Sequence, residues 1–193
     1  MSPEHHTPMP HPKTPKIANT MLVVVDAQEA FRPAIGDFAL AVSNISRAVR
    51  GFGILEMPVL VTEQYPRGLG HTAEEITLAL PAGVEVMEKT SFSAFGADGF
   101  ADKLDEHAIR HVLLCGFETH VCVNQTAHDL IDKGFNVHLL TDCIASRFRV
   151  DEDAGLEKMR SVGVVPSSVE TALFELMQNA RHPKFKEIQS LIK

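Results

Sequence analysis

The chain has 193 residues, of which 45% are hydrophobic and 22% charged, and its net charge is −7. This composition is typical of one globular domain, and the acidic balance argues against a nucleic-acid or anionic-membrane binder, since either would need a basic face. No apolar run approaches the roughly 18 residues of a membrane span.

The first residues are rich in proline and histidine and lack the apolar segment of a secretory signal. We predict a flexible N-terminal arm over residues 1–18, in which His5, His6 and His11 are disordered. A single domain over residues 19–180 and a short helical tail over residues 181–193 are expected to follow.

Short β-branched runs alternate with helix-like segments from residue 21 onward. The predicted strands cover residues 21–25, 58–62, 84–88, 112–115 and 135–140, with a weak sixth strand that begins at residue 164. The predicted helices cover residues 38–55, 98–107, 121–133, 152–162 and 168–178. This alternation predicts an α/β fold built from right-handed βαβ units, with a parallel sheet covered on both faces.

The ends of several elements carry their own signals. Asp98 and Ser168 are predicted N-caps, and Thr119 is predicted to cap the helix that contains Cys122. Gly134 is expected to end that helix. Residues 63–72 contain Pro66, Gly68 and Gly70 and are therefore predicted to form a loop.

Three polar residues follow strands one, three and four of the predicted sheet. Asp26 comes after the first strand, Lys89 after the third, and Cys122 in the turn after the fourth. In open parallel sheets the functional site lies outside the carboxyl ends of the strands, where the strand order reverses. We therefore expect the aspartate, the lysine and the cysteine to converge.

These residue types are suited to nucleophilic catalysis. The unpaired N–H groups and the dipole of a helix start favour thiolate at Cys122, which would act as the nucleophile. Asp26 would accept the thiol proton and later hand it to a leaving amine. Lys89 would stabilise the thiolate and orient the carboxylate. Two backbone N–H groups near the helix start would hold the oxyanion.

Three segments carry a family resemblance. They read Asp-x-Gln-x-x-Phe from Asp26, Lys-x-x-Phe-Ser-Ala-Phe from Lys89, and Gly-Phe-x-Thr-x-x-Cys-Val from Gly116. Together, and in this order, they resemble the signatures of the isochorismatase-like cysteine hydrolases, which include nicotinamidases and N-carbamoylsarcosine amidases. The resemblance covers roughly residues 20–180. It implies a Rossmann-like three-layer α/β/α sandwich with a six-stranded parallel sheet, and a triad of Asp26, Lys89 and Cys122.

The resemblance also implies the details of the site. It implies a cis peptide bond at Phe117–Glu118 and an oxyanion hole formed by the N–H groups of Glu118 and Cys122, with the Glu118 side chain playing no part. The residues predicted to line the substrate pocket are Gln28, Phe31, Phe92 and Phe95. Two alternatives stay open, because Gln28 could instead stitch its loop together and the phenylalanines could belong to the core.

A departure from the nicotinamidases concerns the metal. Those enzymes carry an Asp-x-His pair after the second strand, whereas residues 62–71 of this chain lack one. His71 alone is a weak ligand set, so we predict no metal and no cofactor. True isochorismatases lack the cysteine, so the presence of Cys122 indicates an amide or related acyl substrate rather than isochorismate. His120 is interpreted as a rim or interface histidine.

The leading hypothesis is a cysteine hydrolase that cleaves a small amide or a related C–N or acyl bond through a thioester on Cys122. One alternative is a redox or reactive-carbonyl sensor that uses the same thiol without turnover, with Cys115 as the nearest second cysteine. Another is a binding protein that has lost activity. The expected partner is a small molecule, with no nucleic acid and no membrane, and the resemblance implies a homo-oligomer, either a dimer or a tetramer. The three cysteines, Cys115, Cys122 and Cys143, include no Cys-x-x-Cys pair and suit the reducing cytoplasm.

Overall fold

The structure is a computed structural model that describes residue 11 and residues 13–193. Most of the predicted arm, including His5 and His6, lies outside the described residues. At the described end of the arm, Pro15 is buried and Ile17 packs against the hydrophobic core. This part of the arm therefore lies against the domain.

Six strands form one parallel sheet with the order β3-β2-β1-β4-β5-β6. They are β1 (Thr20–Val25), β2 (Val59–Gln64), β3 (Val86–Lys89), β4 (His111–Phe117), β5 (Asn136–Ala145) and β6 (Val165–Ser167). The order reverses between β1 and β4, so the crevice at their carboxyl ends is the place where such sheets bind ligands.

The described residues form eight α-helices. They are α1 (Phe38–Ile54), α2 (Pro66–Leu69), α3 (Glu74–Thr77), α4 (Phe100–Glu106), α5 (Asn124–Asp132), α6 (Arg149–Ser161), α7 (Val169–Met177) and α8 (Phe185–Ile192). Short 3₁₀ turns lie at Ile17–Asn19, Glu29–Phe31 and Ala94–Gly96. None of these helices is long and apolar enough to cross a membrane.

The two faces of the sheet bury two separate apolar clusters. Along β1, Leu22 and Val24 pack on one face, under α1, α7 and α8, while Val23 and Val25 pack on the other, under α4, α5 and α6. This alternation follows from the two-residue period of a strand, and β1 is an unbroken apolar run because both of its faces are covered. The predicted three-layer α/β/α sandwich with a six-stranded parallel sheet is confirmed.

Several element boundaries differ from the prediction. Helix α4 begins at Phe100 and is preceded by Gly99 in a left-handed conformation (φ 81°), so Asp98 is not its N-cap. Strand β5 runs on to Ala145, because a bulge carries it past the polar residues 141 and 142. The predicted loop over residues 63–72 contains the end of β2 and the whole of α2.

The start of the cysteine helix also differs. A π-helical turn, Thr119–Val123, precedes α5, and the residue at its N-cap is Glu118. The prediction that Thr119 caps this helix is wrong, since its hydroxyl oxygen is buried and has no hydrogen-bond partner among the described residues. Ser168 does cap α7, accepting a hydrogen bond from the N–H of Thr171.

Two buried histidines lie side by side near the amino ends of β4 and β5. His111 and His138 are 3% and 4% exposed, and their ring centroids are 5.7 Å apart. Nδ1 of His111 and Nε2 of His138 have no hydrogen-bond partner among the described residues. Burial, together with the neighbouring His111, lowers the pKa of His138 to about 4, and burial also lowers the pKa of His111. Both imidazoles are therefore neutral in the folded protein near pH 7.

We expect this pair to make the fold sensitive to acid. Between pH 6.5 and pH 4 the unfolded chain binds a proton at His138 that the folded chain does not, so the free energy of unfolding falls as the pH drops through that window. The loss attributable to His138 is about 3 kcal/mol. In His138→Gln, the free energy of unfolding measured with urea should depend less on pH than in the wild type. His107→Gln, at an exposed position, should keep the wild-type pH dependence. An unchanged pH slope in His138→Gln would contradict the prediction.

Candidate active site

Asp26 lies directly after β1 with its side chain fully buried. Its backbone is in the left-handed region (φ 50°), which aspartate tolerates better than most residues. Its N–H donates to the carbonyl oxygen of Thr62 at 3.1 Å, and Oδ1 accepts from the Thr62 hydroxyl at 2.7 Å. The strand next to β1 therefore fixes both the backbone and the carboxylate of Asp26.

Lys89 is the last residue of β3, and its side chain is fully buried. Its Nζ lies 2.6 Å from Oδ2 of Asp26 and 2.8 Å from Oε1 of Gln64. It also lies 3.0 and 3.1 Å from the carbonyl oxygens of Ser91 and Phe92. An ammonium group has three donors, so the four surrounding oxygens satisfy it completely.

Cys122 lies within the π-helical turn and is 6% exposed. Burial raises the pKa of its thiol, and the negative charge of the neighbouring Asp26 carboxylate raises it further. The charge of Lys89 acts in the opposite direction but does not reverse the shift. Burial and the Asp26 carboxylate together therefore favour the protonated thiol over the expected thiolate in the free protein.

The peptide bond between Phe117 and Glu118 is cis, at the position that the family resemblance implied. The carbonyl oxygen of Glu118 accepts hydrogen bonds from the N–H groups of Val121 and Val123 at 3.1 and 3.3 Å. Its carboxylate is buried, and Oε1 accepts from both Nε and the backbone N–H of Arg147 at 2.9 and 3.1 Å. The side chain of Glu118, to which the sequence analysis assigned no part, thus ties the turn to the segment after β5.

Gly116 lets β4 approach β1 closely just before the turn. Its φ is +122°, and a Cβ atom at this position would lie 1.9 Å from the carbonyl oxygen of Val25. No side chain fits in that space. This close contact sets how far the turn carrying Cys122 stands from Asp26.

Gln28, a predicted pocket residue, uses its whole amide on the backbone. Its Nε2 donates to the carbonyl oxygens of Gln64 and Gly70 at 3.1 and 2.6 Å, and its Oε1 accepts from the N–H of Gln64 at 2.8 Å. These bonds favour the alternative in which Gln28 stitches the loop.

The three predicted pocket phenylalanines lie in different surroundings. Phe31 packs edge-on against Phe117, with ring centroids 6.3 Å apart. Phe95 packs against Phe100 of α4, at 5.0 Å between centroids. Phe92 is 52% exposed, and of the three it alone presents a largely open ring.

The segment after β2 pairs a carboxylate with a histidine. Glu63 is buried, and its Oε2 lies 3.0 Å from Nδ1 of the exposed His71, while Oε1 accepts from the N–H and hydroxyl of Thr72. Within residues 13–193, His, Cys, Asp and Glu side chains form no group of three or more that could hold a metal ion. His120, the other histidine weighed from the sequence, places Nδ1 3.1 Å from the hydroxyl of Ser146.

Sequence reasoning missed Thr62, Gln64 and Arg147. A signal for Thr62 was present, because the predicted second strand ends at this residue, and in the parallel ladder it pairs with Val25, next to Asp26. Arg147 carried no such signal, since it meets Glu118 only through the packing of β5 against β4.

The chain is similar to proteins that contain an isochorismatase domain. Residues 20–171 match the model of the isochorismatase domain. Isochorismatase domain-containing protein 1 of Salmo salar is 42% identical over 176 residues, which cover 91% of this chain and 62% of that protein. The chain thus spans less than two thirds of that relative. Isochorismatase domain-containing protein 2 of Macaca fascicularis is also 42% identical over 176 residues, which cover 91% of this chain and 83% of the relative.

A solved structure is similar over nearly the whole chain. It is described as the MAR1 ribonuclease from Caenorhabditis elegans and is 36% identical, with a TM-score of 0.89. The match covers 92% of this chain and 91% of that one.

Removing one partner of the buried ion pair should destabilise the fold. Lys89→Met leaves the Asp26 carboxylate buried without its cation, and breaking such a pair typically costs about 3–5 kcal/mol. The double variant Asp26→Asn with Lys89→Met should recover part of that loss. Urea unfolding measures both, with Lys103→Met as the control because its ammonium pairs with Glu85 and Glu106 at the surface. A Lys89→Met midpoint equal to that of the control would contradict the prediction.

Proposed function

The chain belongs to the isochorismatase domain family, whose members are generally hydrolases, and we propose that it is a cysteine hydrolase acting on a small amide or a related C–N or acyl bond. One observation carries the proposal. The Asp26 carboxylate lies near enough to the Cys122 thiol to raise its pKa, and it is held 2.6 Å from the buried Lys89 ammonium. A carboxylate fixed in this way is a proton acceptor positioned against a nucleophile.

In the first half-reaction, Sγ of Cys122 attacks the acyl carbon as its proton passes to Asp26. The raised pKa of the thiol means that proton transfer and attack are coupled, rather than starting from a standing thiolate. Asp26 then donates the proton to the leaving nitrogen, the C–N bond breaks, and a thioester on Cys122 remains.

In the second half-reaction, a water molecule attacks the thioester carbon while Asp26 accepts its proton. The C–S bond breaks, the proton returns to the sulfur, and the carboxylic acid leaves. Lys89 stays protonated throughout and keeps Asp26 oriented. Four oxygens hold Lys89 in place, which suits a fixed charge rather than a group that transfers protons.

The oxyanion of each tetrahedral intermediate is assigned to the backbone N–H groups of Glu118 and Cys122. Cys122 lies in the first turn of its helix, where N–H groups lack partners within the helix. Arg147 supports this arrangement by holding the Glu118 carboxylate. One such donor typically contributes about 3 kcal/mol to lowering the barrier.

The environment of the thiol counts against the sensor alternative. Sensor cysteines have a low pKa and are accessible, whereas Cys122 is buried and its pKa is raised. Cys115 packs in the apolar cluster on the opposite face of the sheet, so it is badly placed to form a disulfide with Cys122. Turnover of a bound substrate suits this thiol better than oxidation.

RNA cleavage is a second candidate, because the similar Caenorhabditis elegans structure carries the name of a ribonuclease. A net charge of −7 disfavours binding a polyanion. Near the site, Lys89 is buried and Arg147 is paired with Glu118, so both cations already have anionic partners. Small amides and esters therefore rank first.

We also propose self-association, which the resemblance implied. Several large apolar side chains are exposed, among them Leu40 at 63%, Leu78 at 76% and Val150 at 73%, and burying some of them against a second copy would remove apolar surface from water. Light scattering on the purified chain measures the oligomeric state, and a monomer would contradict this proposal.

Three free thiols further support a cytoplasmic location.

Removing the thiol should abolish turnover and leave the fold intact. Cys122→Ala is expected to lower kcat by at least about 10³-fold on any amide or ester that the wild type hydrolyses. Cys115→Ala is the matched control, since it removes a buried thiol from the other face of the sheet. Circular dichroism verifies the fold of both variants.

The readout is a screen of amides, esters and a labelled RNA, with intact mass spectrometry to detect an acyl adduct on Cys122. Activity that survives in Cys122→Ala would sink the mechanism. RNA cleavage that is lost in Cys122→Ala would keep the site and replace the substrate class.

A further inference from the structure

One face of α5 and of the turn before it carries more than the nucleophile. Thr126, Asp129 and Lys133 follow Cys122 by 4, 7 and 11 residues. Spacings of three and four residues place side chains on one helical face. This face meets residues 90–96, here called the Lys89 loop.

Each of these residues contacts the Lys89 loop. The Thr126 hydroxyl accepts from the N–H of Ala94 at 2.9 Å, and Oδ2 of Asp129 accepts from the Ser93 hydroxyl at 2.5 Å. Nζ of Lys133 lies 5.1 Å from the ring centroid of Phe95. The contacts cover three successive residues of the loop, so its middle is held against the helix.

The same loop supplies half of the oxygen atoms around Lys89, namely the carbonyl oxygens of Ser91 and Phe92. Within the loop, the Ser91 hydroxyl donates to the carbonyl oxygen of Ser93 at 2.8 Å. Gly96 packs so closely on Ser91 that a Cβ atom there would lie 1.9 Å from the Ser91 hydroxyl oxygen. A hydrogen bond that holds Ser93 in place therefore also holds the carbonyl groups that accept from the Lys89 ammonium.

We propose that Asp129 is a positioning residue, which through Ser93 holds the Lys89 loop and so fixes Lys89 and Asp26 relative to Cys122. The helix that begins at the nucleophile would then also set the place of the cation, three strands away in the sheet. The proposal rests on the proposed function in that it takes Cys122, Asp26 and Lys89 as the working group.

Alkylation of Cys122 by iodoacetamide tests this without a substrate. The charged groups that face the thiol are Asp26, Lys89 and Glu118, and only the thiolate reacts. Asp129→Ala is expected to slow alkylation near neutral pH about tenfold, because the charge of a well-placed Lys89 favours the thiolate. Peptide mass spectrometry assigns the adduct to Cys122 rather than to Cys115 or Cys143.

Two further variants separate positioning from general stability. Asp129→Asn keeps an acceptor for the Ser93 hydroxyl and should stay within about twofold of the wild-type rate, since one hydrogen bond is retained. Asp132→Ala, at an exposed position on the same helix, is the matched control and should leave the alkylation rate unchanged. With an amide that is turned over, Asp129→Ala should lower kcat and leave KM unchanged.

An Asp129→Ala protein that melts at a lower temperature but is alkylated at the wild-type rate would overturn the proposal. If that variant does not fold, Ser93→Ala removes the same bond from the side of the loop, and wild-type alkylation in Ser93→Ala would overturn it equally. If alkylation is slowed but no amide or ester is hydrolysed, the proposed function fails and the positioning role stands.

Discussion

The ion pair between Lys89 and Asp26 is buried, and this burial constrains the residues at the carboxyl ends of the neighbouring strands. Taking such groups out of water costs several kcal/mol for each ion, and their attraction offsets this only when the remaining donors and acceptors are also satisfied. On β2, the Thr62 hydroxyl donates to the Asp26 carboxylate and the Gln64 side chain accepts from the Lys89 ammonium. Two carbonyl groups in the segment after β3 also accept from Lys89. The carboxyl ends of three neighbouring strands are therefore held together by one charge pair.

The same burial decides the state of the nucleophile. A thiol in an apolar turn beside a carboxylate keeps its proton, and the cation nearby is already shared with Asp26. Such a thiol stays protonated in the free protein, and in the proposed mechanism Asp26 removes its proton only when an acyl carbon arrives. In the proposed mechanism, reactivity therefore depends on the substrate, which is the behaviour expected of an enzyme rather than of a sensor.

Backbone packing provides the precision that the chemistry requires. Gly116 brings β4 against β1, and Glu118 with Arg147 ties the turn that carries Cys122 to the segment after β5. On the other side, α5 holds the loop that coordinates Lys89. Each tie joins elements that are far apart in sequence, so the site is a property of the sheet and its helices together rather than of any one loop.

The sequence by itself determined the layers of the fold and where its polar residues gather. Unbroken β-branched runs such as residues 21–25 mark strands buried on both faces, and parallel strands deliver Asp26, Lys89 and Cys122 to one edge. Local patterns of this kind depend only on neighbouring residues. Boundaries such as the start of α4 were misplaced, since a capping aspartate was available but the chain used Gly99 instead.

Only the tertiary structure decided what the side chains at that edge do. Gln28 bonds to backbone groups about 40 residues away, and Glu118 pairs with Arg147 across two strands. The protonation of Cys122 follows from how much water the assembled layers exclude. Long-range partners and desolvation leave no periodic signal in the chain, because they exist only once the layers have packed.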